Sequence, residues 1–228
     1  MNLRAWTPTV ASSSVLPEVT LSTPDWLTDP QIESSLRAFS DILASTGVER
    51  GLIGPREVDR LWDRHILNCA VATDAVPRGT HVIDIGSGAG LPGVVWAIVR
   101  PDITVTCLEP LLRRSTFLSE AVEALGLDDR VFVHRGRAEE QRGRVSAPVT
   151  TARAVAPLGR LAGWALPLTE SGGELLALKG ASAEEEIAAA AEELATLGVE
   201  DVTIQEFGRG IVDPPTRVIR VPQARRSQ

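Results

Sequence analysis

Val82-Ile83-Asp84-Ile85-Gly86-Ser87-Gly88-Ala89-Gly90-Leu91-Pro92-Gly93 decides how this chain is read. A short β-prone run meets three glycines at every second position, and Val94-Val95-Trp96-Ala97-Ile98-Val99 follows as an apolar stretch. That order predicts a strand, a tight turn and a helix. The glycines permit positive φ and let other atoms approach the backbone closely. Pro92 suits the first helical position, where its missing N–H costs nothing. The free N–H groups of a helix start are then open to polar atoms of a ligand.

Downstream of the turn, strands and helices alternate. Strands are expected at Ile103–Leu108, Val131–His134, Val149–Ala152 and Glu174–Leu178. Helices are expected at Leu112–Leu125, stopped by Gly126, after Pro157, and over the acidic, alanine-rich Ala183–Leu197. Such alternation implies a mostly parallel sheet with right-handed crossovers. Two last strands, Val202–Phe207 and Arg217–Val221, are joined by a loop holding Gly208, Gly210 and Pro214-Pro215. With no helix between them they read as an antiparallel hairpin at one edge. The expected fold is α/β, a seven-stranded Rossmann-like sheet.

Upstream, residues 1–28 are rich in Ser, Thr and Pro and read as a flexible leader. Residues 29–228 form a single domain, with a helical extension over 29–78 and the Rossmann-like core over 79–228. Asp29-Pro30 starts a helix with Ile32, Leu36, Phe39 and Leu43 on one stripe, ended by Gly47. Pro55 opens a second helix with Val58, Leu61, Trp62 and Ile66 on its apolar face. Arg56, Arg60 and Arg64 recur every fourth residue on its other face.

Composition narrows the classes. The chain has 228 residues, 43% hydrophobic, which suffices for one large core. A formal net charge of −7 argues against wholesale coating of nucleic acid but leaves room for a local basic surface. Of 23 basic residues only Lys179 is lysine, so contacts to phosphate or carboxylate will mostly be arginine forks. Cys69 and Cys107 are isolated, and His65, His81 and His134 are scattered. They read as buried thiols in a reducing cytoplasm and as no metal site. No signal peptide or membrane span is evident, and the chain is expected to be a cytoplasmic monomer.

Glycine spacing separates two ligand classes. The dinucleotide fingerprint G-x-G-x-x-G needs its third glycine where this chain has Leu91; here the glycine comes one earlier, at Gly90. An acidic residue in the strand, Asp84, followed by G-x-G-x-G is similar to the first motif of S-adenosylmethionine-dependent methyltransferases of class I. Ligands of such sheets sit beyond the carboxyl ends of the strands. Glu109 ends the second strand, where a carboxylate accepts ribose hydroxyls. Gly136-Arg137-Ala138-Glu139 follows the third.

Beyond the turn, the chain resembles the RsmG (glucose-inhibited division protein B) family, methyltransferases of bacterial 16S ribosomal RNA. The resemblance rests on Trp62-Asp63-Arg64-His65-Ile66-Leu67, Asp84 through Gly93, Arg114 through Phe117-Leu118, Arg137-Ala138-Glu139, Ala152-Arg153-Ala154 and Ala177-Leu178-Lys179-Gly180. These stretches span about residues 50–180 in order. Asn68-Cys69 departs from the family's Asp-Ser, and Arg113-Arg114 from its Lys-Arg. The resemblance implies S-adenosylmethionine as cofactor, N7 of one guanine as target, and 16S RNA or the small-subunit particle as partner. It places Gly86, Leu91, Ala138, Glu139 and Arg153 at cofactor-contacting positions, beside Gly88, Gly90 and Glu109 from the turn and the second strand. Arg64, His65, Arg113, Arg114 and Lys179 are the candidates for RNA contact, with Arg153 also able to reach it. Guanine N7 carries a lone pair in the neutral base, so positioning rather than a general base should dominate. Two other readings keep the same turn: a methyltransferase of small molecules, and a nucleotide-binding scaffold without turnover.

Overall fold

The computed structural model describes residues 24–224. Seven strands form one sheet in the order β3-β2-β1-β4-β5-β7-β6. They are β1 (His81–Ile85), β2 (Thr104–Leu108), β3 (Val131–His134), β4 (Ala147–Arg153), β5 (Thr169–Lys179), β6 (Thr203–Phe207) and β7 (Thr216–Pro222). β1 to β5 pair in parallel, whereas β7 inserts antiparallel between β5 and β6. The loop-only link between the last two strands thus forms the antiparallel edge expected from sequence. β5 is longer than Glu174–Leu178, because Thr169 also pairs, with Ala147, across an irregularity in the register.

The helices are α1 (Asp25–Thr28), α2 (Pro30–Ile42), α3 (Asn68–Val71), α4 (Gly93–Val99), α5 (Leu112–Ala124), α6 (Leu158–Ala165), α7 (Ala183–Ala189) and α8 (Ala191–Thr196). Asp29 caps α2 as expected, its carboxylate accepting from the N–H groups of Gln31 and Ile32 at 2.8 and 3.2 Å. Gly47 does not end that helix. A wide π-type turn over Leu43–Gly47 carries it on to Glu49, and Gly51, at φ +66°, breaks it. The helix expected from Pro55 is also irregular: a 3₁₀ stretch, Pro55–Arg60, runs into a π-type stretch, Leu61–Leu67. The four-residue spacing of Arg56, Arg60 and Arg64 therefore does not define one α-helical face. The Ala183–Leu197 segment divides at Ala190 into α7 and α8. Most of the leader, residues 1–23, lies outside the described residues, but its end forms α1 and buries Trp26.

Two cores flank the sheet. On one face Phe39, Leu43, Ile66 and Cys69 pack with Trp96 and Phe117; on the other Leu158, Leu161 and Leu194 pack with Leu175 and Ile219. The 29–78 segment and the sheet therefore share one core. α4 is buried on every side, which explains why its sequence is apolar throughout. The indole Nε1 of Trp96 donates to the carbonyl of Cys69 at 2.9 Å, tying α3 to α4.

Candidate active site at the carboxyl ends of the strands

The strand order reverses direction between β1 and β4, and ligand sites of open α/β sheets lie at that switch point. Two clefts open there. The smaller, about 500 Å³, is lined by Gly86, Ser87, Gly88, Ala89 and Leu91 after β1, Glu109 to Leu111 after β2, and Arg114 and Arg137. The larger, about 890 Å³, lies between Arg64 and Asn68 on one side and the β6–β7 loop on the other. His65, Arg153 and Ala154 line both. Ala154 holds φ +55°, a conformation that costs a side-chain-bearing residue about 1–2 kcal/mol. It turns the chain sharply at the wall between the clefts.

The glycine turn divides its labour. Gly86, Gly88 and Gly90 all have positive φ, at +66°, +55° and +90°. A Cβ on Gly88 would meet only the Gly86 carbonyl oxygen at 3.7 Å, so its open side faces the smaller cleft. A Cβ on Gly90 would meet Val94 at 2.7 Å, Phe39 at 3.1 Å and Leu118 at 3.2 Å. Gly90 thus serves the core, and its grouping with the cofactor residues gives way to a packing role. Most of the expected free N–H groups at the helix start are also taken. Gly93 donates to Asp84 Oδ2 at 3.0 Å, Val94 to the Gly90 carbonyl and Trp96 to the Pro92 carbonyl. Pro92 stands just before the helix, not at its first turn.

Asp84 is fully buried. Burial pushes its carboxyl up to about 7, against the Gly93 hydrogen bond. It anchors the start of α4 from beneath. Glu109 is also buried, and each of its oxygens accepts a backbone N–H: Oε2 from Gly88 at 3.0 Å and Oε1 from Leu111 at 2.9 Å. Its side chain is therefore held rigidly at the floor of the cleft, with lone pairs left on both oxygens.

Of the residues expected at the cofactor, Gly86, Gly88, Leu91, Glu109 and Arg153 come together around the smaller cleft. Ala138 and Glu139 do not line it. Ala138 is buried in the far core and Glu139 is exposed, while their neighbour Arg137 reaches the cleft instead. The RNA candidates also separate. Arg64, His65 and Lys179 line the larger cleft, Arg114 lines the smaller one, and Arg113 is exposed away from both. Lys179 is not a free cation: its ammonium donates to Glu186 Oε2 at 2.5 Å and to the Ala156 carbonyl at 2.9 Å, with 9% side-chain exposure. Arg217, unmarked by any motif, enters the larger cleft paired with Glu184 and Glu206. Among the described residues the Arg64 guanidinium carries no such partner, and no group of three or more His, Cys, Asp or Glu side chains is placed to hold a metal. No helix among them is long and apolar enough to cross a membrane.

Residues 32–214 match the family described as GidB, rRNA small subunit methyltransferase G. The chain is 58% identical over 183 residues to the ribosomal RNA small subunit methyltransferase G of Thermobifida fusca, covering 80% of this chain and 77% of that one. It is 57% identical over 184 residues to the protein of the same name from Streptomyces avermitilis, with the same coverage. Among solved structures, the apo form of the S-adenosylmethionine-dependent methyltransferase SibL superposes with TM-score 0.60 at 17% identity, covering 90% of this chain and 71% of that one. An S-adenosylmethionine-dependent O-methyltransferase from Thermotoga maritima gives TM-score 0.54 at 15% identity, over 75% and 71%. The structural likenesses establish the class I methyltransferase fold, and the sequence match establishes more: this chain belongs to the rRNA small subunit methyltransferase G (GidB) family.

Proposed function

We propose that the chain transfers a methyl group from S-adenosylmethionine to N7 of a specific guanine in 16S ribosomal RNA, acting in the cytoplasm on the RNA or its small-subunit particle. The observation that carries the reading is the pair of clefts meeting at one wall of His65, Arg153 and Ala154, in a chain of this family. One cleft suits a donor and the other an acceptor.

The residues of the smaller cleft fit the cofactor. Glu109 has lone pairs free to accept both ribose hydroxyls while keeping its two backbone donors. Gly88 leaves open space where a side chain would intrude. Arg153 supplies a fixed cation suited to the carboxylate of the amino-acid end. When bound, the cofactor supplies an electrophilic methyl on a sulfonium.

The protein's share of the chemistry is placement. N7 attacks through its lone pair and releases no proton, so no side chain need act as base. The product base is cationic. Of the carboxylates set among the cations of the larger cleft, Asp63 and Asp213 are the ones without an ion-pair partner among the described residues, so they are the ones able to favour it. Single-turnover rates are therefore expected to be flat with pH on the neutral and alkaline side. The deciding test is methyl transfer from labelled S-adenosylmethionine to 16S RNA from cells lacking this protein, with nucleoside analysis. 7-Methylguanosine is expected; methylation at an exocyclic amine or ribose hydroxyl, or no incorporation into RNA, overturns the reading.

Two cations of the larger cleft, Arg64 and Lys179, should behave differently. Arg64→Ala is expected to lower kcat/KM for RNA about tenfold, about 1.4 kcal/mol, with cofactor affinity kept and a weaker salt dependence. Lys179→Ala is expected to cost about 1–3 kcal/mol of folding stability, because it strands Glu186 and the Ala156 carbonyl. Denaturant titration beside RNA-dependent kinetics separates the two. A stable Lys179→Ala protein with selectively weakened RNA turnover would return Lys179 to the RNA contacts.

A further inference from the structure

We propose that His65 is a positioning residue: its imidazole locks the Arg153 guanidinium into the wall between the two clefts, and protonation of the ring unlocks it. The proposal rests on the methyltransferase reading above and adds a residue that acts through another.

The hydrogen bonds fix the ring's state. Arg153 Nη2 donates to His65 Nδ1 at 2.7 Å and to the Arg64 carbonyl at 3.0 Å, and Nη1 donates to Cys69 Sγ at 3.3 Å. A guanidinium only donates, so Nδ1 must be a bare acceptor. The single ring proton then sits on Nε2, where it meets Glu57 Oε2 at 3.0 Å. Both Nη2 hydrogens are thereby spent on His65 and Arg64, which leaves Nε–H and one Nη1–H for whatever occupies the clefts. Three acceptors within one short stretch, Arg64 to Cys69, hold a side chain that otherwise has many rotamers. Of these only His65 can lose its acceptor by titration. Cys69 is fully buried and its thiol is pushed up by that burial, and a carbonyl does not titrate.

Protonated His65 would put an N–H and a positive charge against Arg153 at the same 2.7 Å contact. Arg153 must then leave its seat, and the wall between donor and acceptor loses its shape. The groups facing the ring are Glu57 from the 3₁₀ stretch, Arg153 from β4 and Arg64 from its own stretch, with Arg60 and Arg64 beside Glu57. Burial, then the Arg153 charge, hold His65 below its ordinary value, against the pull of Glu57. The locked form therefore prevails at neutral pH and yields on the acid side.

The test compares single-turnover methyl transfer to 16S RNA at saturating cofactor across pH for four proteins, each checked for folding by circular dichroism. The wild-type rate is expected to be flat above neutrality and to fall with a midpoint below about 6.5, the free imidazole value. Glu57→Gln removes the group that favours the charged ring, so its midpoint moves to lower pH. His65→Asn offers a carbonyl near the Nδ1 place that does not titrate; it keeps more than about a third of the rate and loses the acid limb. His65→Phe loses at least about tenfold at saturating cofactor, more than it loses in S-adenosylmethionine affinity by calorimetry. An acid limb persisting in His65→Asn, a midpoint moving up in Glu57→Gln, or a near wild-type rate in His65→Phe overturns the proposal. ¹⁵N spectra of the histidine rings supply a readout without RNA. An Nε2–H ring titrating below 6.5 supports the lock, and an Nδ1–H ring overturns it. Should the wild type make no 7-methylguanosine, the substrate reading fails and these spectra still decide the lock. Should it make the base while the variants match it, the lock alone fails.

Discussion

Gly88→Val is expected to lower S-adenosylmethionine affinity at least about a hundredfold, about 2.7 kcal/mol, in a protein that still folds. The residue sits at φ +55°, and the only atom near an added Cβ is the Gly86 carbonyl oxygen at 3.7 Å. A valine side chain would therefore project into the smaller cleft without striking the core. Its N–H also donates to Glu109 Oε2 at 3.0 Å. A β-branched residue resists positive φ, and relaxing that strain would draw the N–H off the carboxylate. One substitution thus fills the space meant for a ligand and unseats the group suited to its ribose. Calorimetry measures the loss, and circular dichroism confirms the fold. Retained affinity in a folded variant would place the cofactor elsewhere.

Why this turn was legible is a matter of range. β1, the glycines and α4 are contiguous, and local rules govern each: β-branched residues for the strand, positive φ for the turn, an apolar run for a buried helix. The parallel pairing followed from the alternation of elements, and the antiparallel edge from a link too short for a crossover helix. The segment from Pro55 to Leu67 was misread in its backbone, which runs as a 3₁₀ and then a π-type stretch, although Leu61 and Ile66 are buried as the periodicity asked; its apolar spacing reports burial and not the kind of turn.

The site divides in the same way. Gly88 and Glu109 sit where strand ends put them, and spacing located them, while Gly86 and Leu91 came from the family resemblance. The larger cleft is assembled from residues near 65, 153, 179 and 213, which no local pattern joins. Charge type misled as well. Lys179 reads as a phosphate ligand until Glu186 is seen against it, and the bond between His65 and Arg153 links residues 88 positions apart. Ala138 and Glu139 followed the family's pattern in sequence, yet the loop turns Arg137 toward the cleft.

Gly90→Val should do the opposite of Gly88→Val, although the two glycines stand two residues apart in one turn. The expected result is a loss of about 3–5 kcal/mol of folding stability, against a total of about 5–15 kcal/mol for a typical domain. Two costs add. At φ +90° a β-branched residue is strained by about 1–3 kcal/mol. Its Cβ would also lie 2.7 Å from Val94 and within 3.2 Å of Phe39 and Leu118, and such overpacking costs about 1–3 kcal/mol more. Those neighbours cannot step aside cheaply, since Phe39 and Leu118 are fully enclosed in the core that joins α2, α4 and α5. Gly90→Ala keeps the Cβ contacts with less bulk, so it should fall between wild type and valine. Denaturant midpoints measure the series, with calorimetry on whatever fraction remains folded. A Gly90→Val protein of near wild-type stability that fails to bind S-adenosylmethionine would show that this glycine faces the ligand after all, and that the turn serves the cofactor along its whole length.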